Sequence, residues 1–205
     1  MQNKSMRKTN AERSATTQEQ LLNAALELFR GRGYDASGTP DIVARAGLTR
    51  GALYHHYGSK RALFRAVVAR ESAAVAREIE RATPPSLGAD TALIQGGYAF
   101  LQAMAEPGRT RMLLLEAPAV LGRDAVTHIE QENSARTLYQ GVVAAIERGR
   151  MKPLPIDELV ELLAAMFDRA ALAIEAGASP DSVQQALEGI LAGLLQQPRE
   201  VAATR

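Results

Sequence analysis

The chain has 205 residues, of which 46% are hydrophobic, and a formal net charge of only +1 at pH 7. This composition is sufficient to bury a sizeable core, and the absence of cysteine excludes disulfides, a thiol nucleophile and thiolate metal sites. The start of the chain lacks the apolar run of a signal peptide, and no run approaches the roughly 20 apolar residues of a membrane span, so we expect a cytoplasmic protein.

The small net charge conceals an uneven distribution. Residues 1–83 contain 14 Lys and Arg against 8 Asp and Glu, giving +6, whereas residues 84–205 contain 10 against 15, giving −5. A positive segment suits a polyanion such as nucleic acid. An ordinary solvated surface would explain the charge count equally well, so the motifs have to distinguish the two explanations.

The strongly periodic segments all predict helix, and no alternating pattern predicts a strand, so we expect an all-α fold. A first helix is predicted to open at Thr16, with Glu19 in capping-box spacing, and to end near Gly31 and Gly33. Its apolar positions recur every three or four residues, at Leu22, Ala25, Leu26 and Phe29.

A short second helix is predicted from Thr39, as N-cap, to Gly47, with Pro40 in the first turn. Glycine tolerates positive φ, so Gly47 permits a sharp reversal into a third helix that begins at Leu48 or Thr49. Two helices joined by such a turn form the helix-turn-helix unit of DNA-binding proteins.

The remaining helices continue to the end of the chain. A fourth helix is predicted to start at the cap Ser59 and to run to about Thr83, where two prolines follow. Further helices are predicted near 90–105, 108–117, 123–149, 156–177 and 180–196.

The third helix belongs to the stretch LTRGALYHHYGSK, residues 48–60. The first turn of the second helix in a helix-turn-helix faces the base edges, and here it holds Thr49, Arg50, Gly51 and Ala52. An arginine can donate two hydrogen bonds to guanine, an alanine can touch a thymine methyl, and a glycine allows close approach. Donors that could meet phosphates follow at Tyr54, His55, His56 and Lys60.

A metal site is the competing explanation for the two histidines. Neighbouring residues on a helix project about 100° apart, so His55 and His56 cannot easily chelate one ion. We therefore predict no metal site and no cofactor.

Residues 17–70 resemble the DNA-binding domain of the tetracycline-repressor (TetR) family of bacterial regulators, through LLNAALELFRGRGYDASGTPDIVARAGLTRGALYHHYGSKRALFRAVV. The resemblance is strong over about a quarter of the chain. It implies that Thr39 caps the second helix at the DNA backbone, that Arg50 and Ala52 face bases, and that Tyr54, His56 and Lys60 hold phosphates. In two places the sequence departs from the family: Pro40 stands where relatives often carry an arginine, and Ala52 replaces a frequent threonine, which leaves more of the base recognition to Arg50.

The resemblance also implies a domain order and a set of partners. We expect a basic flexible arm over residues 1–16, a DNA-binding domain over 17–77 and a helical effector-binding and dimerisation domain over 78–205. The implied partners are a near-palindromic operator duplex, a second copy of the chain and a small-molecule effector.

The last two predicted helices are the candidates for the dimer interface. They carry apolar stripes with small residues that permit close packing. The predicted contacts are Leu159, Leu163, Met166, Ala170, Val183, Leu187, Ile190 and Leu194. The alternative explanation of the same stripes is an intramolecular core.

Effector contacts are predicted where polar or bulky residues interrupt apolar helix faces. These residues are Tyr98, Met104, Met112, Glu116, Asn133, Tyr139, Phe167 and Asp168. The second part of the chain has only four aromatic residues, Tyr98, Phe100, Tyr139 and Phe167, so an aliphatic cavity that contains methionine is easier to build than an aromatic cage.

The sequence therefore predicts a homodimeric transcriptional regulator, a repressor released from its operator by a small apolar or amphipathic effector. A DNA-binding dimer without a small effector remains an alternative. A more remote alternative is a helical-bundle enzyme with His128 or Glu116 as base, although the chain shows neither a phosphate-binding glycine loop nor a nucleophile motif.

Overall fold

A computed structural model describes residues 9–195, and over that range the chain is helical, without a β-sheet. The predicted all-α fold is confirmed. The elements are α1 Asn10–Arg32, α2 Thr39–Ala46, α3 Arg50–Tyr57, α4 Lys60–Ala82, α5 Ala89–Met104, a π-helical segment Arg111–Glu116, α6 Ala117–Leu121, α7 Arg123–Gln131, α8 Ser134–Glu147, α9 Ile156–Glu175 and α10 Pro180–Leu194.

The first three helices and the start of α4 enclose a small core of their own. Phe29 of α1 meets Phe64 of α4 edge to face, with ring centroids 5.0 Å apart, and Tyr34 packs 4.7 Å from the same Phe64 ring. Ile42 and Leu53 are fully buried beside them. Aromatic pairs at these spacings contribute beyond their buried area, so this core fixes how α3 is presented.

The start of α1 differs from the prediction. The helix begins at Asn10, where Thr9 and Glu12 form the capping box, whereas the hydroxyl of Thr16 donates to the carbonyl of Glu12 inside the helix at 2.8 Å. Two Thr-x-x-Glu pairs satisfy the same spacing, and good helix formers between them let the helix propagate. The predicted start at Thr16 is wrong, and residues 10–16 are helix, not a flexible arm. Residues 1–8 lie outside the described range.

The helix-turn-helix follows the predicted local signals closely. Gly47 ends α2 with φ of 66°, the hydroxyl of Thr49 accepts from the Ala52 N–H at 3.2 Å, and Ser59 caps α4. The predicted N-cap of α2 is wrong by one residue: Gly38 is the N-cap, and Thr39 is the first helical residue. No side chain forms a capping hydrogen bond there. Proline is tolerated one place deeper because the first four N–H groups of a helix have no intrahelical partner.

Two predicted helices are divided. The region 108–117 contains the π-helical segment and leads directly into α6, and the region 123–149 is interrupted between α7 and α8. At the second break, the amide of Asn133 donates to the Ile129 carbonyl at 2.6 Å. An asparagine that bonds nearby backbone offers an alternative to the helix ladder, which explains why α7 stops there.

Helix α4 is the central element of the remaining fold, with α5, α7 and α8 packed against it and α9 packed on α5 and α8. Among residues 9–195, no helix combines the length and apolarity needed to cross a membrane.

Candidate DNA-binding surface and effector cavity

The outer face of α3 is polar and accessible. Leu53 anchors the helix in the core, while Thr49, Arg50, Gly51, Tyr54 and His55 are exposed. Ala52 and His56 are half-buried. Neither α3 nor the first turn of α4 contains an acidic residue, so nothing on this surface would repel a phosphate backbone.

The two histidines lie side by side at the end of α3, with ring centroids 5.1 Å apart and an interplanar angle of 75°. No group of three or more potential metal ligands occurs among the described residues. The arrangement leaves both rings available as hydrogen-bond donors to an anion when protonated.

Lys60 and Thr39 are less free than the sequence indicated. The Nζ of Lys60 donates to the Tyr34 carbonyl at 3.0 Å and lies 3.9 Å above the ring of the same tyrosine. Thr39 is half-buried in the first turn of α2. Lys60 therefore already holds a structural position at the start of α4, and a phosphate contact would have to share its ammonium group.

A buried ion cluster joins α1, α4 and the chain after α5; we call it the Glu71 cluster. Glu71 is only 4% exposed, and its carboxylate accepts hydrogen bonds from Arg30 and from Nε of Arg109, the latter at 2.9 Å. Arg109 also reaches Glu78 at 3.3 Å and the Ala103 carbonyl. No sequence signal indicated this cluster, because its members are separated by up to 79 positions.

The π-helical segment reaches back to the end of α1. Arg111 donates to the carbonyls of Phe29 and Arg30 at 3.0 and 2.8 Å, and the Phe29 carbonyl also accepts from the Gly33 N–H at the end of α1. Gly108 has φ of 74°, and a Cβ added there would lie 2.1 Å from the Arg30 carbonyl oxygen. Only glycine fits such an approach.

Glu116 lies at this same contact and not in a cavity. Its carboxylate accepts from the Tyr34 N–H at 3.2 Å and lies 3.4 Å from Nε of Arg111. The prediction of an effector contact at Glu116 is therefore corrected: the residue is held by the DNA-binding half. His128, the other candidate base, is exposed and lies 3.7 Å from Glu132.

A cavity of about 460 Å³ lies among α4, α5, α7, α8 and α9. Two predicted effector contacts, Phe167 and Asp168, line it. Met104 borders only a small neighbouring void, and Met112 is fully buried in the core. Tyr98, Asn133 and Tyr139 are not among the lining residues. These five residues were chosen by face periodicity, which cannot show where five helices leave space between them.

Two carboxylates contribute to the wall of the cavity. Burial raises the pKa of Glu130 to about 7, with a further contribution from the charge of Asp168, and burial raises the pKa of Asp168 to about 6. Glu130 was missed by sequence reasoning, because it lies on a helix most of whose residues are exposed, next to the buried Ile129.

The comparisons with known proteins identify the family. The profile for bacterial regulatory proteins of the tetR family matches residues 21–67, and the profile for the tetracyclin repressor-like C-terminal domain matches residues 91–197. The chain belongs to the TetR family.

Relatives of this TetR chain resemble it over different spans. The HTH-type transcriptional repressor AcnR of Corynebacterium diphtheriae is 28% identical over 88% of this chain and 92% of its own length. The HTH-type transcriptional repressor BepR of Brucella suis is 42% identical over 32% of this chain and 31% of its own length. A solved TetR-family regulator from Pectobacterium atrosepticum is 30% identical, with a TM-score of 0.75 over 94% of this chain and all of that one.

The curated relatives are not all matched at full length. The matched part covers about a third or less of BepR, of the A-factor receptor protein of Streptomyces griseus and of the transcriptional activator FasR of Mycolicibacterium smegmatis. The solved structure extends the likeness to nearly the whole of this TetR chain.

The predicted dimerisation stripe of this TetR chain divides into two sets. Four of its residues are buried in the chain's own core, as expected if the stripe is intramolecular: Leu159, Leu163, Ala170 and Leu187. The other four are more accessible, since Met166, Val183 and Leu194 are half-buried and Ile190 is 52% exposed. Leu162, which was not predicted, is 71% exposed. Gly189 and Gly193 of α10 face open space. The accessible apolar face of α9 and α10 is therefore rotated relative to the predicted stripe.

Proposed function

We propose that the protein is a sequence-specific DNA-binding transcriptional regulator, a repressor that binds a near-palindromic operator as a homodimer and is released by a small apolar or amphipathic effector. One observation carries the proposal: the exposed α3, which contains no acidic residue, lies at one end of α4, and the cavity lies against the other end. We divide it into a DNA-binding domain over residues 17–77 and an effector-binding and dimerisation domain over 78–205.

On the DNA side, the exposed first turn of α3 enters the major groove. Arg50 contacts bases, with Gly51 and Ala52 allowing close approach, and Tyr54 with the two histidines lies nearest the phosphates. One short helix contacts few base pairs, so a two-fold pair of chains doubles the recognition, with half-sites about 34 Å or a multiple of it apart. The exposed apolar face of α9 and α10 supplies the surface for that pairing.

The release mechanism relies on α4. Its first residues support α3, and Ile79, Glu80 and Thr83 near its end line the cavity. An effector that moves this end changes the spacing of two recognition helices, because packed helices switch between discrete arrangements. The coupling is reciprocal, so a tenfold loss of operator affinity on effector binding requires a tenfold loss of effector affinity on operator binding.

The DNA-binding proposal is tested by selecting bound duplexes from a random-sequence pool with the full chain. Arg50→Ala should lower affinity for the selected site by about 1–3 kcal/mol for each bidentate arginine–guanine pair that it removes, with a smaller reduction on random DNA. Arg136→Ala, which removes an exposed arginine from α8, serves as the control and should leave both affinities unchanged. Equal reductions on selected and random DNA for Arg50→Ala would contradict base recognition by α3.

The assembly is tested by light scattering on the full chain. A dimer at micromolar concentration is expected, and a monomer would remove the basis for a palindromic operator. A regulator that binds the selected DNA but responds to no small molecule would be a dimer without a small effector, the alternative to release by an effector.

A further inference from the structure

We propose that the cavity selects organic cations, namely molecules with an apolar body and one amine or quaternary ammonium group held by Glu130 and Asp168. The inference rests on the proposed role of the cavity as the effector site. It adds the chemical class of the effector.

The two carboxylates face the cavity without a partner. Within residues 9–195, the side-chain carboxylates of Glu130 and Asp168 neither accept a hydrogen bond from another side chain nor form an ion pair. Glu80, the third acid of the lining, already lies 3.5 Å from Arg136. Both residues are half-buried, and a carboxylate that is partly removed from water without a counter-charge is costly, so a ligand with a positive charge would supply the missing partner.

The raised pKa values of the two carboxylates are consistent with their lack of a positively charged partner. Burial shifts the pKa of Glu130 to about 7 and that of Asp168 to about 6, so near neutral pH Glu130 is about half protonated and Asp168 is mostly ionised. A bound cation would stabilise the ionised forms, whereas an anion would be repelled by them. Arg148 also lines the cavity, but it is exposed and its charge is solvated.

The rest of the lining suits an apolar body. α5 contributes Leu93, Gly96, Gly97 and Phe100, and no charged side chain, to the wall. The rings of Phe100 and Phe167 lie 6.0 Å apart, and an aromatic face attracts a cation within about 6 Å of its centroid. The volume of about 460 Å³ lies in the range of small-molecule sites.

A metal ion is a poorer occupant. Calcium takes six to eight oxygen ligands and magnesium requires octahedral coordination. The described part of the chain offers no group of three or more metal ligands, here or elsewhere. The pair of carboxylates beside two phenyl rings therefore matches an organic cation better than an inorganic one.

The experiment compares three probes that share one apolar body: 4-phenylbutylamine, 4-phenylbutanol and 4-phenylbutanoate. Each is titrated calorimetrically into the full chain at pH 8. The amine should bind at least about tenfold more tightly than the alcohol, and the carboxylate most weakly. Glu130→Gln and Asp168→Asn should each remove most of the preference for the amine. Glu132→Gln, the same change on an exposed residue two positions from Glu130, should preserve it.

A pH series on the unaltered chain gives a second readout. The amine remains protonated from pH 5.5 to 8, as lysine does, so its affinity should rise about tenfold as the carboxylates ionise. The charged groups that face them are Glu80 of α4 and Arg148 after α8. Binding of the alcohol should not change with pH. An amine affinity that is flat over this range would overturn the inference even if a variant failed to fold.

The outcomes separate this inference from the proposed function. An alcohol that binds as tightly as the amine would overturn the selection of cations but leave an effector cavity. If none of the three probes bound at millimolar concentration, both the selection of cations and the role of the cavity as an effector site would be overturned. Displacement of the amine by equimolar magnesium would show a metal site and overturn the organic cation.

Discussion

Replacing Glu71 by glutamine removes the charge at the centre of the Glu71 cluster while keeping the shape of the side chain. Two arginines are then deprived of their common counter-charge. Arg109, with a side chain only 6% exposed, keeps Glu78 at 3.3 Å, and Arg30, 21% exposed, keeps Glu106 at 3.6 Å. The question is how far these remaining ion pairs offset the missing charge.

Breaking a buried ion pair by removing one partner costs about 3–5 kcal/mol, because the other charge is left buried and uncompensated. Each arginine here retains one carboxylate at a longer distance, and the new amide oxygen can still accept one hydrogen bond. We therefore expect Glu71→Gln to lower the free energy of unfolding by roughly 2–3 kcal/mol, at or below the lower end of that range.

Denaturant unfolding followed by circular dichroism measures this change at equal protomer concentrations, because dimerisation would otherwise shift the midpoint. Glu80→Gln is the matched control, since it removes an exposed partner of Arg136 on the same helix and should cost less than about 1 kcal/mol. If both variants were destabilised by the same small amount, the Glu71 cluster would be no more stabilising than a surface pair, and our account of how the two halves are joined would be refuted.

Two further predictions concern the cavity. Gly97→Ala places a Cβ 2.6 Å from the Phe167 ring and should destabilise the fold by about 1–3 kcal/mol. Gly96→Ala, whose Cβ would have its nearest contact at 3.5 Å, should be stabilising or neutral. Equal melting temperatures for the two variants would contradict the close packing of Gly97 against Phe167. The pKa of Glu130 is raised from 4.5 to about 7, so the folded state holds an extra proton in that window and loses stability as pH rises through it. Glu130→Gln removes this loss, so the stability of the variant relative to the unaltered chain should increase by about 1–3 kcal/mol between pH 4.5 and 8, and by less if Asp168 takes up the proton. A difference in denaturation midpoints that does not change with pH would exclude the raised pKa of Glu130.

Local sequence signals predicted the DNA-binding half well. Gly47 and Ser59 mark helix ends through interactions within a few residues, so α2, α3 and α4 are placed to within about one residue. The signal at Thr16 was ambiguous because Thr9 and Glu12 have the same spacing.

Interactions between distant segments could not be predicted in this way. Glu116 looked like an effector contact because it interrupts an apolar face, yet its partner Tyr34 is 82 positions away. Glu130 and Asp168 meet only because α7 and α9 border the same cavity. An apolar period shows which side of α9 is apolar, but it cannot distinguish the chain's own core from a second chain.

The arginine at position 111 has a consequence for hybrid regulators. A chimera made by joining this DNA-binding half to a foreign effector half within α4 would deprive the last turn of α1 of a side-chain donor, because Arg111 comes from beyond the junction. The foreign half would also need a glycine where Gly108 passes over α1. The transplantable unit is therefore discontinuous, comprising residues 9–82 together with the segment 108–116.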